Sequence, residues 1–327
     1  MKVNTDDEQR DRVIPGPARR WYSRPRSMIT CFLAAAGTVL LFALWHIGPL
    51  LHVRFATYEA HEADPKHVVS SLGGPDRGVS RLLEYLGSPW VPTDWKVDAS
   101  SVLDGYIEYY KPRDAVPALA RALRHQDHRV YLTAVEQLMF LGPKSQEALP
   151  ELAAALTHED TALRVNVLRT LGRIGPGATE CIPALRDCLR DDDTYVRIHA
   201  AVALWRIDKD SGREGIGVLV AEVKSGGVCA DRAARSLGHI GRSEPVAVAR
   251  LTSLLQAEKK ETRASAALGL GVAGSAASSA VDRLAEISSK DEYSSVRQAA
   301  REALEKIKKA QEEKQAKDKQ PAEAPAK

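Results

Sequence analysis

A period of 33 residues runs through the C-terminal part of the chain and restricts what it can fold into. The segments AVPALARAL (115–123), ALPELAAAL (148–156) and CIPALRDCL (181–189) align without gaps, with Pro117, Pro150 and Pro183 in register. Leu119, Leu152, Leu185, Leu219, Leu251 and Leu284 extend that series. A second series follows at the same period: Val130, Leu163, Val196, Cys229, Thr262 and Val296. Further small or apolar residues sit at fixed offsets from each, as in Ala134 and Leu141 of the first unit and Ala300 and Ile307 of the last. Offsets of 4, 8 and 11 share one helix face. Each unit is therefore two helices. One such pair cannot bury both faces alone, so neighbours must stack. With aromatics at only 6%, the composition agrees with helix rather than sheet.

The punctuation fits this reading. HQD (125–127), HED (158–160) and DDD (191–193) are polar turns between the two helices of a unit, each ending in an Asp placed to cap the second helix. The prolines fall in the first turn of the first helix, where a missing N–H costs little. The second helix ends at Gly142, Gly175, Gly241 or Gly274, read as left-handed C-caps. This explains GLGVAG (269–274), which has the glycine spacing of a dinucleotide-binding turn. That motif needs a strand before it and a helix opening from it. Here the preceding ETRASAAL is helical in pattern, and Gly271 and Gly274 occupy the slots of Gly172 and Gly175.

The pattern D-x-x-V-R-x-x-A-x-x-x-L-x-x-I-G is carried by Asp193, Val196, Arg197, Ala200, Leu204 and Ile207, and by Asp160, Leu163, Arg164, Leu171, Ile174 and Gly175. It resembles the HEAT-like repeats of the phycobilisome-lyase type. The resemblance covers six repeats over 114–307 and implies an all-α fold: a right-handed α-solenoid of about six to seven helical hairpins, with second helices lining the concave side. Repeat four departs from the pattern, with Gly226 and Ala230 where Asp and Arg are expected. Tyr131 replaces Arg in repeat one, and Asp208 replaces the final Gly in repeat three. The Asp and Arg slots (Asp160, Asp193, Arg164, Arg197, Arg263, Arg297) imply a ladder of charge between adjacent repeats.

Outside the repeats the chain changes character. Residues 56–113 read as a degenerate N-terminal cap, with PDRGVSRLLEYLG (75–87) as its second helix, followed by an insertion at 88–113. The insertion holds Trp90, Trp95, Tyr106, Tyr109 and Tyr110, and its end reads as helix from Ser100 or Ser101. Residues 308–327, charged and Ala/Pro-rich, are expected to be disordered. Ser27–Val53 carries no Asp, Glu, Lys or Arg, and its centre, Met28–Trp45, is 18 residues of apolar sequence. Residues 28–51 are therefore expected to span a membrane as a helix. Arg19, Arg20, Arg24 and Arg26 precede the span, which puts residues 1–27 in the cytoplasm and the repeat domain outside it, in the periplasm if the cell is bacterial. A cleaved signal peptide is the alternative, but its apolar core is normally 7–15 residues behind a shorter leader. Residues 1–30 account for the whole net charge of +3. With the remainder neutral, bulk nucleic-acid binding is not expected.

Cys181, Cys188 and Cys229 occupy core positions of the repeat and read as structural thiols. Cys181 and Cys188 lie about 10 Å apart along one helix, too far for a disulfide. His61-Glu62 and His158-Glu159 are similar to the His-Glu dyads of HEAT-type di-iron hydroxylases, and His125, Asp127 and His128 cluster at a turn. Polar turns account for all of these, and neither a metal nor a cofactor is expected. The outer face of the second helices is the stronger candidate. Offsets 3, 6 and 10 give Asn166, Arg169 and Arg173 in repeat two, His199, Val202 and Arg206 in repeat three, and Arg232, Arg235 and His239 in repeat four. That is five Arg and two His with no acid. Trp205 beside them replaces the usual Gly, and Phe140 extends the face into repeat one. Arg and Trp are the residues that anchor partners. The expectation is a membrane-anchored, non-catalytic scaffold that binds a protein partner through an acidic segment. A bilin-lyase-like enzyme, implied by the family resemblance alone, and a binder of an anionic polymer are the alternatives.

Overall fold

The structure, a computed structural model, describes residues 53, 65–89, 91, 93–110 and 112–319. The chain divides into two compact units, Met1–His52 and Val53–Lys327. The first lies wholly outside the described residues, and with it the segments expected as cytoplasmic (1–27) and membrane-spanning (28–51). The described residues contain no strand.

The helices follow the 33-residue frame. α1 (Pro65–Ser71) and α2 (Gly74–Gly87) form an N-terminal hairpin, and α3 (Thr93–Tyr110) follows. Repeat one is α4 (Val116–Ala122) and α5 (His128–Leu141), repeat two is α6 (Leu149–Ala155) and α7 (Thr161–Ile174), and repeat three is α8 (Ile182–Cys188) and α9 (Thr194–Ile207). Repeat four is α10 (Lys209–Ser225) and α11 (Ala230–Gly241), repeat five is α12 (Pro245–Leu254) and α13 (Lys260–Ala273), and repeat six is α14 (Val281–Lys290) and α15 (Ser294–Lys319). Successive second helices pack side by side, and the predicted frame residues form the core between them. Leu119, Leu152, Leu185, Leu219, Leu251 and Leu284 are all fully buried. The stretch 260–290 has the length and apolarity of a membrane span, but it is two helices joined by a 3-10 turn at Gly274–Ala280 and half buried in this core.

Local chemistry explains the boundaries. Asp127, Asp160 and Asp193 each accept N–H bonds from the first turn of the helix they precede. Ahead of those caps, His125 Nδ1 accepts from the Asp127 N–H at 2.9 Å and His158 Nδ1 from the Asp160 N–H at 3.0 Å. Asp191 and Asp291 do the same through Oδ1 for the N–H two residues on. The turn histidines are thus one instance of a repeated acceptor slot. The glycine caps differ from expectation. Gly142, Gly175 and Gly274 have φ of 57, 72 and 62°, but ψ near −130° rather than the left-handed helical value. Each chain reversal runs straight into a 3-10 turn, and this mirror-image extended conformation is open only to glycine. Gly241 is not a positive-φ cap at all. A Cβ there would stand 2.9 Å from Val248 Cγ2, so its role is close packing.

The charge ladder exists with different rungs. Arg164 pairs with Asp191 at 3.1 Å, Arg197 with Glu222 at 2.7 Å and Arg263 with Asp291 at 2.7 Å. Each of these arginines also holds two carbonyls of the turn before its own helix, and Arg297 does only the latter. Asp160 and Asp193 pair with no arginine among the described residues; their Oδ1 atoms cap the helices that follow. Where Tyr131 replaces Arg, its hydroxyl donates to Asp160 Oδ2 at 2.5 Å and keeps that rung.

Two boundaries are corrected. α3 begins at Thr93, seven or eight residues before the predicted start. α15 continues through Lys319, so residues 308–319, expected to be disordered, are helical. The sequence there is rich in Ala, Glu, Lys and Gln, all strong helix formers, and Lys308 pairs with Glu312 one turn on. Residues 320–327 lie outside the described residues.

Candidate partner-binding groove

The solenoid is regular except at one junction, and the candidate site lies there. Glycines let the second helices of repeats two, four and five pack closely on the next. A methyl at Gly172 would stand 3.2 Å from Ala203 Cα, one at Gly238 2.2 Å from the Gly269 carbonyl oxygen, and one at Gly271 3.1 Å from Ala303 Cα. The same slot in repeat three is Trp205. An indole has no room in gaps this narrow, and α9 and α11 touch far less than α7 with α9 or α11 with α13. α10 fills the far side. Its Gly212 and Gly215 lie against the backbone of Trp205 and Ala201, where Cβ atoms would come to 2.4 and 2.8 Å of the Cα atoms.

The result is a groove of about 510 Å³ over α7, α9 and α11. It is lined by Arg169, Arg173, His199, Trp205, Arg206, Arg232 and His239, seven of the nine residues singled out from sequence. Arg235 and Phe140 are exposed but lie outside the lining, Phe140 at 44% exposure. Met139, its neighbour on α5, takes that place. Leu168, Val202 and Ile240 give the groove apolar patches, and Ser236 offers a hydroxyl. The offset count missed Ser236 and Met139 because it followed only three lanes of each helix.

Among the described residues no carboxylate lines this groove. Among the described residues, none of Arg169, Arg173, Arg206 and Arg232 forms an ion pair. Arg169 donates to Asn166 Oδ1 at 3.2 Å, and Arg232 lies over the Tyr195 ring at 5.2 Å. The histidines register the convergence of these cations. Burial, followed by the fields of Arg232, Arg169 and Arg206, pushes His199 down to about 4. Burial and then Arg242, Arg206 and Arg235 lower His239. His199 is therefore neutral at pH 7, and the positive charge of the groove is all guanidinium.

Cys229, expected in the core, is half-buried. Cys181 and Cys188 are buried, and burial pushes each thiol up to about 11. Among the described residues no three metal-ligating side chains come together. His61-Glu62 lies outside the described residues, as does Trp90. Tyr106 is buried and its ring lies 5.7 Å from that of Tyr110.

Two stretches, 149–215 and 229–305, match the family model of HEAT repeats, and the gap between them coincides with the end of α10, beside the irregular junction. No sequence among the curated proteins matches the chain. Among solved structures, it is similar to an engineered protein at 23% identity, TM-score 0.40, over 78% of each chain. It is also similar to a designed armadillo repeat protein in complex with the peptide (KR)4, at 16% identity and TM-score 0.35, over 70% of this chain and 99% of that one. Helix pairs at constant period, a continuous core between them and the family match agree: the described chain is an all-α solenoid of HEAT-like hairpins, and residues 149–215 and 229–305 are similar to HEAT repeats.

Proposed function

We propose that this protein is a membrane-anchored, non-catalytic scaffold that holds an acidic segment of a partner protein in the groove over α7, α9 and α11. One observation carries the reading. Four guanidiniums converge on a concavity that contains no acid, whereas the ladder arginines Arg164, Arg197 and Arg263 are all matched by carboxylates. A bidentate guanidinium–carboxylate pair is among the stronger polar contacts, and it gains strength where water is partly excluded. Trp205 and Val202, both half-buried, supply apolar surface beside the charges, the mixture that anchors protein partners. Residues 28–51 would tether the solenoid, with residues 1–27 cytoplasmic and the repeats outside the cytoplasm. This topology rests on the charge-free run and the arginines before it.

The test is the affinity of a fluorescent, glutamate-rich peptide for the detergent-solubilised full chain. Substituting Arg169→Glu and Arg206→Glu together should lower affinity by about 30-fold or more, from two lost charge-assisted contacts of about 1–2 kcal/mol each. Arg250→Glu, on the outer α12, should leave it unchanged. Equal affinity in all three proteins would refute the assignment. A further reading, an anionic polymer as occupant, is distinguished by salt: polymer binding falls steeply and log-linearly with salt concentration.

A further inference from the structure

The face that carries the groove continues beyond it, and its charge changes sign. Each repeat places its offset-6 residue in the same lane of the second helix. Along that lane Arg169 on α7 is preceded by Glu136 on α5, and α3 packs beside α5. Glu136 is exposed, and its carboxyl is raised above the usual range by burial of its surroundings and by Asp104, with Arg169 opposing. Asp104 on α3 is raised likewise, chiefly by burial and in part by Glu108 one turn on. Asp104, Glu108 and Glu136 thus form an acidic end one helix removed from the arginines. Among the described residues no cation pairs with any of the three.

A buried amide holds this end in place. Gln137 is 2% exposed, and its Nε2 donates to Asp104 Oδ1 at 2.7 Å, which fixes that carboxylate beside Glu136 on α5. The acidic end thus offers carboxylates to a cation, as the basic groove offers guanidiniums to an acid.

We propose that the partner segment is dipolar: it lies across the second helices with a lysine or arginine over Asp104, Glu108 and Glu136, and with its acidic residues over α7, α9 and α11. This rests on the partner-binding reading above and specifies the order of charge in the partner. Adjacent packed helices lie about 8–10 Å apart. An extended chain advances about 3.3 Å per residue. The basic residue therefore stands about three residues from the first acid and about six from the second. A uniformly acidic segment would set like charges against the α3/α5 end, where they repel.

The experiment uses three labelled peptides of one composition. Two are ordered, with lysine at one end and glutamates from the third residue on, written in the two chain directions. The third is permuted, with lysine between the glutamates. With the full chain in detergent, one ordered direction should bind at least about fivefold more tightly than the permuted peptide, a difference in the range of one well-placed ion pair. Glu136→Lys should abolish that advantage. Replacing the peptide lysine by glutamate should restore tight binding to Glu136→Lys and weaken binding to the native chain. Glu108→Lys, also at an exposed site, serves as the second charge reversal should Glu136→Lys disturb folding. Equal binding of ordered and permuted peptides, with Arg206→Glu still abolishing both, would overturn the charge order alone. Failure of every peptide to bind would overturn the groove assignment itself.

Discussion

His199 makes the site visible to a stability measurement. Its imidazole sits in the groove wall, and burial together with Arg232, Arg169 and Arg206 lowers it from 6.5 to about 4. The sign follows from proton uptake. Between pH 6.5 and 4 the unfolded chain binds a proton at this position that the folded chain refuses, so stability falls as pH falls through that window. At about 1.36 kcal/mol per unit, the full shift corresponds to about 3 kcal/mol, of which about 2.5 kcal/mol is lost by pH 4.5 and almost none at pH 7.5. His199→Gln keeps a polar side chain of similar reach and removes the titration. Denaturant unfolding of both proteins at pH 7.5 and 4.5, followed by tryptophan fluorescence, should show the native chain losing about 2.5 kcal/mol more than the variant, since carboxylate titrations are common to both. A saturating acidic peptide should narrow the gap by screening the three guanidiniums. A difference between the two proteins that stays constant with pH would refute the account of His199 and weaken the claim that the arginines converge on it.

Other outcomes follow from particular contacts. Arg263→Ala leaves Asp291, whose side chain is 6% exposed, without its partner, and should cost about 3–5 kcal/mol in unfolding free energy. Arg186→Ala removes a surface pair to Glu214 in which both side chains are nearly half exposed, and should cost less than about 1 kcal/mol by the same assay. Gly238→Ala places a methyl 2.2 Å from the Gly269 carbonyl oxygen and should cost about 2–3 kcal/mol, read as a lowered Tm. Iodoacetamide at pH 8 should leave Cys181 and Cys188 unmodified in the native protein, because both are buried with thiols at about 11. Unfolding should expose them, as peptide mass mapping would show.

The frame of the fold was legible because six units repeat the same physics. A period of 33 with apolar offsets of 4, 8 and 11 fixes helix pairs, their caps and the buried leucines without any tertiary information. What the period could not convey is where it fails. Trp205 was recognised as standing in a glycine slot. That it holds α9 and α11 apart follows only from the distances at the equivalent glycines, where a methyl would be tight at Gly172 and Gly271 and would clash at Gly238. The acidic end was missed for a related reason. Glu136 shares a lane with Arg169, but Asp104 comes from the insertion, which has no repeat register to align. The helical tail to Lys319 was missed because low hydrophobicity was read as disorder. A helix continuing from a docked repeat needs no nucleus of its own, and propensity alone extends it. The regular spacing of the capping aspartates points to them as rungs, but the arginines reach Asp191, Glu222 and Asp291 instead, acids whose positions relative to the period are not constant.

The central claim is that an acidic partner segment lies in the groove over α9, and site-specific photo-crosslinking tests it most directly. p-Benzoylphenylalanine at Val202, in the groove lining, should capture a glutamate-rich peptide. The same group at Val246, 50% exposed on the outer α12, should not. Capture at Val202 that is lost with Arg206→Glu is the predicted result. Equal capture at both positions, or capture at Val246 alone, would contradict the account.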